Sequence, residues 1–420
     1  MAIDTPASIA ILGAGPIGIE AALYARFLGY DVDLYERGRV CENMLRWGHV
    51  RMFSPFSMNR TPLGLAALNA QAVDYHPPAD DELLTGREFV EQYLLPLAQS
   101  DLLCDCLHEE TDVSQIGRVG FLKQEGIGTE ERAEAKFSLL LNAGDETERV
   151  AEADVVIDCT GTYFNRYSMG GLGAGGTWAL GEVAATAHER IEHFLPDILG
   201  AERDAFAGRH TLLVGAGYSA ATSAVALAQL AAEAPDTQVT WLTRRRRVEG
   251  PIPRIPSDRL PQRDALAAQA NELAATETNT FRNLVAPHIA SMALEDDRLR
   301  VTLADEARST LVVDRILAQI GYMPHWGMCR ELQLHLCYAT VGPMRLAAAL
   351  QEKASDDCLD QTASGPQTLF NPEANFYVLG AKSYGRNSQF LIATGHAQIR
   401  DLFSIIGDRH DLDLYQSIRL

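Results

Sequence analysis

Among its 420 residues the sequence has no Cys-x-x-Cys and no His-x-x-x-His. The first absence removes the usual redox-active dithiol, and the two together leave a metal site without support. Seven cysteines are an odd count for a disulfide scaffold. They are Cys41, Cys104, Cys106, Cys159, Cys329, Cys337 and Cys358, and most read as small buried hydrophobes. Cys104 and Cys106 are expected on one face of a strand, an awkward geometry for a bridge.

Positive charge is also scarce. Lysine and arginine total 36 against 56 aspartates and glutamates, a formal net charge of −20. That balance argues against nucleic acid and anionic membranes as partners. The N-terminus, Met1 to Pro6, lacks the charged and apolar regions of a signal peptide, and the reading is a cytoplasmic protein. The apolar stretch from Ile9 to Leu28 is near membrane-spanning length, but glycines, Pro16, Glu20 and Arg26 interrupt it. With 47% hydrophobic and 22% charged residues, the chain has the composition of a globular protein large enough for two cores.

Two glycine-rich fingerprints stand out against this background. The first runs Ile9-Ala10-Ile11-Leu12-Gly13-Ala14-Gly15-Pro16-Ile17-Gly18, then a helical stretch, then Asp31-Val32-Asp33-Leu34-Tyr35-Glu36. The second runs Thr211-Leu212-Leu213-Val214-Gly215-Ala216-Gly217-Tyr218-Ser219-Ala220, then a helix, then Gln238 to Arg245. Each is a strand, a glycine turn, a helix and a second strand, the context in which GxGxxG marks a dinucleotide site. Gly13 allows the sharp turn, Gly15 lets a pyrophosphate approach the backbone, and Gly18 lets the helix lie close to the sheet. The anion then meets unpaired N–H groups at the positive end of the helix.

The ends of the two second strands differ. Glu36, about twenty residues on, offers a carboxylate to ribose hydroxyls and repels a 2′-phosphate, so the first site suits FAD or NAD. In the second unit Ala220 stands for the third glycine, a permitted variant, and Arg244, Arg245, Arg246 and Arg247 replace the acid. Guanidinium groups there suit the 2′-phosphate of NADPH.

Further along, Ala153-Asp154-Val155-Val156-Ile157-Asp158-Cys159-Thr160-Gly161 reads as an apolar strand closing on a glycine. A connection follows, with Met169 to Gly176 as a glycine-rich loop. Val312 to Tyr322 reads as a second such strand, closing on Gly321. Asn375 to Gly380 reads as a strand that leads through a loop to a helix from about Gln389 to Ile406. The expected fold is α/β: two Rossmann-like dinucleotide-binding domains, the second inserted into the first. Residues 1–165 and 322–420 would form the first, and residues 166–321 the second with its connecting region.

On these residues the chain resembles the two-dinucleotide-binding-domain flavoproteins, of glutathione-reductase-like fold. Thr160-Gly161 and Ile320-Gly321-Tyr322-Met323-Pro324 look like their paired crossover motifs. Gly217-Tyr218-Ser219-Ala220 and Trp47 resemble features of class B flavin monooxygenases and ornithine or lysine N-hydroxylases. Pro196-Asp197-Ile198-Leu199-Gly200 and Lys382-Ser383-Tyr384-Gly385-Arg386 are similar to FAD-dependent monooxygenases of bacterial arsenic-resistance clusters. The resemblance implies FAD at the first site and NADPH at the second. It also implies oxygen transfer to a small soft nucleophile, an N, S or As centre, through a C4a-hydroperoxyflavin. An NADPH-dependent reductase without a dithiol, thioredoxin-reductase-like or acting on a disulfide or quinone, and a non-catalytic flavin redox sensor are the alternatives.

Two departures are visible. The first is Gly380-Ala381-Lys382, where the resemblance calls for an aspartate after the glycine. The second is the stretch Gly181-Glu182-Val183 to His188, a degenerate echo of the class B signature.

The segment Leu45 to Arg60 mixes aromatic, polar and cationic groups, a composition that suits a flavin wall or substrate pocket. Trp47 is placed to stack on the ring or simply to fill the core. His49 is a candidate hydrogen-bond donor or proton relay, or a structural histidine. Arg51 and Arg386 are candidates for holding an anionic substrate or supporting reduced flavin, against ordinary surface pairing. With Tyr384 these make up the candidate catalytic set. The cofactor set comprises both fingerprints with Pro16, Ile17, Tyr218 and Ser219, together with Glu36, Arg37, Leu45, Trp47, Thr160, Gly161, Arg244, Arg245, Gly321, Gly380 and Gln398. Thr394 to Gln398 begins the last helix, whose N-terminus would favour negative charge on the reduced ring. The expected partners are a small-molecule substrate and dioxygen, with a homodimer left open.

Overall fold

A strand that is apolar at every position must be covered on both faces, as in parallel sheets. The opening strand, Ser8–Leu12, obeys this: Ile9, Ala10, Ile11 and Leu12 are all buried. In the computed structural model, which describes residues 3–71, 75–145, 147–170, 177–352, 357–360 and 364–418, it is the middle of a five-stranded sheet. The order is Phe376–Val378, Val155–Asp158, Ser8–Leu12, Asp31–Tyr35, Leu107–His108, with every neighbour parallel. The helix Pro16–Leu28 joins Ser8–Leu12 to Asp31–Tyr35. Proline opens it, and Gly29 closes it in the left-handed conformation, its N–H bonded to the carbonyls of Ala25 and Arg26. The last long helix, Ile392–Ile406, packs on it, with Tyr24 stacked on Phe403 at 4.9 Å.

A second five-stranded parallel sheet runs Phe281–Val285, Gln238–Thr243, His210–Val214, Arg315–Ala318, Ile191–Glu192. Its first crossover is the helix Tyr218–Glu233. Each sheet is accompanied by a three-stranded antiparallel meander. One comprises Thr111–Arg118, Phe137–Ala143 and Glu148–Ala153, and the other Ile289–Glu295, Arg298–Leu303 and Thr310–Val313. By contacts the chain divides into two units, Met1–Phe164 with Pro324–Leu420, and Asn165–Met323.

The two closing strands read as single runs in the sequence are each broken by an aspartate. Asp154 separates Glu148–Ala153 from Val155–Asp158, and Asp314 separates Thr310–Val313 from Arg315–Ala318. In both places the chain leaves the meander and enters the parallel sheet. The Asp154 carboxylate accepts from the Ser8 N–H at 2.8 Å and the Ser8 hydroxyl at 2.7 Å. That of Asp314 accepts from the His210 N–H at 2.6 Å. Each aspartate thus caps the first residue of its unit's fingerprint strand, a role that hydropathy cannot reveal.

Cys104 and Cys106 also differ from expectation. They lie in a turn ahead of the strand Leu107–His108, Cys104 exposed and Cys106 buried, so they share no strand face. The connection after Thr162 contributes a strand of its own, Ile191–Glu192, to the second sheet. Of the glycine-rich loop expected there, residues 171–176 lie outside the described residues. No helix among the described residues is long and apolar enough to cross a membrane.

Candidate functional site

The first fingerprint has the shape an anion cradle requires. Gly13 sits at φ +94°, and a Cβ there would come within 2.9 Å of the Cys159 carbonyl oxygen. A Cβ on Gly18 would lie 1.8 Å from the Gly13 carbonyl oxygen, so the helix can approach the turn only without one. Gly15 is the helix N-cap. A Cβ on it would meet nothing within 4 Å, and no side chain caps the helix. No capping side chain therefore occupies the first-turn N–H groups of Ile17 and Gly18, a condition for receiving phosphate oxygens.

Glu36 lies beside this cradle. One carboxylate oxygen accepts from the Ala14 N–H at 2.8 Å and the other from the Gly38 N–H at 2.9 Å. Burial pushes its carboxyl up from the ordinary value, against the pull of those two bonds and of Arg37. Arg37 is exposed, its guanidinium 3.8 Å over the Phe164 ring. Pro16 and Ile17 form the first turn of the helix. The Ile17 side chain touches the positions where Gly380, at φ +72°, and Gly395 would carry a Cβ, so both glycines admit a close approach.

Two further turns border the cradle. Thr160-Gly161 follows the strand Val155–Asp158, with Gly161 at φ +68°. The Thr160 N–H and hydroxyl donate to Asp158 Oδ1 at 3.1 and 2.7 Å. The other turn is the short 3-10 helix Gly380–Tyr384. Gln398, buried on the last helix, accepts from the Gly380 N–H at 2.9 Å and donates to Ser383 Oγ at 2.9 Å. It fixes the turn itself.

The candidate catalytic residues fall in different surroundings. Tyr384 is buried edge-on to Phe390 at 5.4 Å, and burial pushes its phenol up to about 12. Arg386 is exposed, its backbone N–H on the Thr340 carbonyl at 2.7 Å. His49 is exposed, and Arg51, also exposed, donates to the Leu83 carbonyl. Leu45 and Trp47 pack against the core, and the indole lies where a Cβ on Gly86 would have to go. The indole N–H is buried without a partner. The segment thus divides, with Trp47 turned to the core and His49 and Arg51 to solvent.

The second fingerprint repeats the plan. Gly215, at φ +140°, would bring a Cβ within 2.1 Å of the Gln319 carbonyl oxygen. Its own carbonyl accepts from the indole of fully buried Trp241 at 2.8 Å. Gly217 caps the helix with nothing within 4 Å of a Cβ and no side-chain cap. Ala220 is buried at the third position, Ser219 is exposed and Tyr218 half-buried. Arg244 to Arg247 follow the strand Gln238–Thr243 and are all exposed. Gly321, at φ +90°, lies against the Tyr167 ring, where a Cβ would be 3.5 Å away.

All seven cysteines are free. Burial pushes the thiols of Cys41 and Cys159 up, and Cys329 up to about 12, so these are poor nucleophiles. Cys41 bonds the Ala14 carbonyl through its backbone N–H at 3.0 Å. Sequence reading missed the buried pair formed by Lys382 and Asp158, because the acid was sought at position 381, where alanine stands, and a cation one residue later belongs to no motif.

No protein-family model and no curated protein matches the sequence. Solved structures do match in fold. The bacillithiol disulfide reductase of Bacillus cereus superposes with a TM-score of 0.66 at 15% identity, over 96% of this chain and 99% of that one. The ornithine N-hydroxylase of Kutzneria sp. 744, with reduced FAD, NADP+ and L-ornithine, gives 0.59 at 16%, over 96% and 100%. The FAD-bound cadaverine monooxygenase of Erwinia amylovora gives 0.60 at 12%, over 97% and 95%. The chain therefore has the glutathione-reductase-like α/β fold of two Rossmann-like domains, the second inserted into the first.

Proposed function

We propose that this protein is an FAD-dependent oxidoreductase whose flavin is reduced by NADPH. The observation that carries the reading is the pair of open glycine helix caps, Gly15 and Gly217, one in each unit. An acid borders the first and an arginine run the second. The structurally similar Kutzneria enzyme holds reduced FAD and NADP+ together, which supports the same pairing here.

In the first unit, backbone N–H groups after Gly15 receive the pyrophosphate, and Glu36 accepts from the ribose hydroxyls. Thr160-Gly161 and the turn at Gly380 wall the crevice. The N-terminus of Ile392–Ile406 favours negative charge near Thr394 and Gly395. In the second unit Gly217, Tyr218 and Ser219 take the NADPH pyrophosphate and Arg244 with Arg245 the 2′-phosphate. Bound FAD supplies a two-electron acceptor for hydride and, once reduced, a reductant for dioxygen.

The finer reading is a monooxygenase acting on a small molecule with a soft N, S or As centre, in the cytoplasm. Its support is chemical: the thiols beside the first fingerprint, Cys41 and Cys159, are held protonated by burial. Tyr384, pushed up to about 12, keeps its proton at neutral pH and can donate a hydrogen bond as well as accept one. The likeness to bacillithiol disulfide reductase favours a second reading, electron delivery to a disulfide. The deciding experiment follows NADPH oxidation, dioxygen uptake and peroxide release with and without candidate amines, thioethers and arsenite. Substrate-dependent uptake of dioxygen with little peroxide supports oxygen transfer. Turnover with a disulfide in the absence of dioxygen supports the reductase.

A further inference from the structure

The turn Gly380–Tyr384 carries a lysine that solvent does not reach. Lys382 is 0% exposed, and its Nζ donates to Asp158 Oδ2 at 2.6 Å and to Thr160 Oγ1 at 3.0 Å. The ammonium also lies 4.8 Å from the centre of the Trp326 ring, whose indole is fixed on the Val341 carbonyl at 2.9 Å. Asp158 is itself 0% exposed at the end of the strand Val155–Asp158.

The position of this pair matters more than its strength. A Cβ on Gly13 would meet Thr160 Cα at 3.1 Å, and one on Gly380 would meet Ile17 at 3.4 Å. The lysine and its two acceptors therefore join the two turns that flank the first fingerprint. A buried ion pair is seldom more stabilising than apolar residues of similar size, so stability alone gives little reason for it. An uncompensated carboxylate beside an anion cradle, however, would repel a diphosphate across a poorly screened distance.

We infer that Lys382 is a positioning residue for a diphosphate-bearing cofactor in the first unit. It cancels the charge of Asp158, to which it is bonded where the Thr160-Gly161 turn meets the turn at Gly380. The open helix cap at Gly15 then receives an anion without an opposing charge beside it. The inference rests on the FAD reading above.

The test titrates apoprotein with FAD, and separately with ADP as a diphosphate probe, at low and moderate salt. Lys382→Met strands the Asp158 carboxylate and is expected to weaken FAD binding by about tenfold or more at both salt concentrations, because a buried charge is poorly screened. Adding Asp158→Asn to it removes the stranded charge and is expected to restore affinity to within about threefold of the native protein. Thermal unfolding of each apoprotein, and NADP+ binding by the other unit, report whether the fold survives. A folded Lys382→Met protein with native affinity for FAD overturns the inference. So does a double variant that is about tenfold weaker than native, whether or not Lys382→Met folds alone. A native protein that takes up no FAD overturns the reading beneath it instead.

Discussion

Glu36 holds the backbone of the loop beside it: its carboxylate accepts from the Ala14 N–H at 2.8 Å, inside the first fingerprint. The second oxygen, on the Gly38 N–H, fixes the carboxylate plane. The residue thus shapes the loop, and in the proposed function it also presents an acceptor to a ribose. Both roles need an oxygen, and the discrimination against a 2′-phosphate needs the charge.

The protein is expected to be yellow as purified and to release FAD, not FMN, on denaturation. FMN lacks the adenosine ribose that Glu36 would contact. Glu36→Arg removes the acceptors and should leave the protein largely without flavin, whereas Glu36→Gln keeps one acceptor and should retain part of it. Chromatography of the extracted flavin checks both. Extracted FMN, or full FAD in Glu36→Arg, would count against the assignment.

NADPH should be used in preference to NADH. Bonds between a guanidinium and a phosphate contribute about 1.5–3 kcal/mol each, and tenfold in affinity corresponds to about 1.4 kcal/mol. Replacing Arg244 and Arg245 together by alanine should therefore raise KM for NADPH by about tenfold or more. KM for NADH should hardly change. Steady-state kinetics with both cofactors checks it, and equal use of the two by the native enzyme would sink it.

The fingerprints were legible because Gly13, Gly15 and Gly18, and likewise Gly215, Gly217 and Ala220, recur at a fixed spacing inside one strand, turn and helix. That holds even though Gly13 and Gly215 make their closest approaches to Cys159 and Gln319. What stayed hidden depends on partners far away in the chain. Asp154 bonds Ser8 and Asp314 bonds His210, so neither break in an apolar run shows as a change of hydropathy. Lys382 meets Asp158 only after the chain has passed through an entire second unit. The segment from Leu45 to Arg60 carried a mixed composition, and composition alone could not divide Trp47 from His49 and Arg51.

The same distance hides a clamp that should govern stability. Glu373, 1% exposed, accepts from Arg118 Nε at 2.8 Å and Arg132 Nη2 at 2.8 Å, and from the Gln333 N–H at 2.8 Å. Burial pushes its carboxyl up, but those bonds outweigh it and hold the group below its ordinary value. Glu373→Ala would leave two buried guanidinium groups without their counter-charge, a loss of about 3–5 kcal/mol. Denaturant unfolding should show it. A loss under about 1 kcal/mol would mean that water or other acceptors replace the carboxylate.

Glu20 should make stability depend on pH in the opposite sense to an ordinary paired carboxylate. It sits on the first helix, 2% exposed, and burial pushes it up from near 4.5 to about 7, with the Thr61 hydroxyl at 2.9 Å pulling the other way. The folded state therefore binds this proton more tightly than the unfolded chain. Its contribution is fully present below about pH 4.5 and is lost as pH rises through about 7. Glu20→Gln keeps an acceptor for Thr61 and removes the titration. At pH 8.5 the variant should gain up to about 3 kcal/mol relative to the native protein, and the gain should fade toward pH 5. Parallel unfolding curves at every pH would refute it.

The fate of the electrons is the last expectation, and the cysteines decide it. A disulfide reductase needs a thiolate that can attack sulfur, and attack requires a thiol near its ionisation at ambient pH. Burial holds Cys41, Cys106, Cys159 and Cys329 far from that condition, and Cys104 is exposed but stands in a turn with no thiol bonded to it. Hydrogen bonds at Thr340 pull the Cys337 thiol down, but it is buried and lies outside the first fingerprint, so its serine variant is the most stringent of the set. Replacing each of the seven cysteines singly by serine should therefore leave NADPH-driven flavin reduction and dioxygen consumption within about twofold of native, because no thiolate takes part. Rapid mixing under anaerobic conditions measures the first quantity and an oxygen electrode the second. The outcome that reverses the assignment is a single serine variant that reduces flavin normally yet abolishes turnover with a disulfide substrate. That result would move the terminal acceptor from dioxygen to sulfur and make the identified cysteine the attacking group.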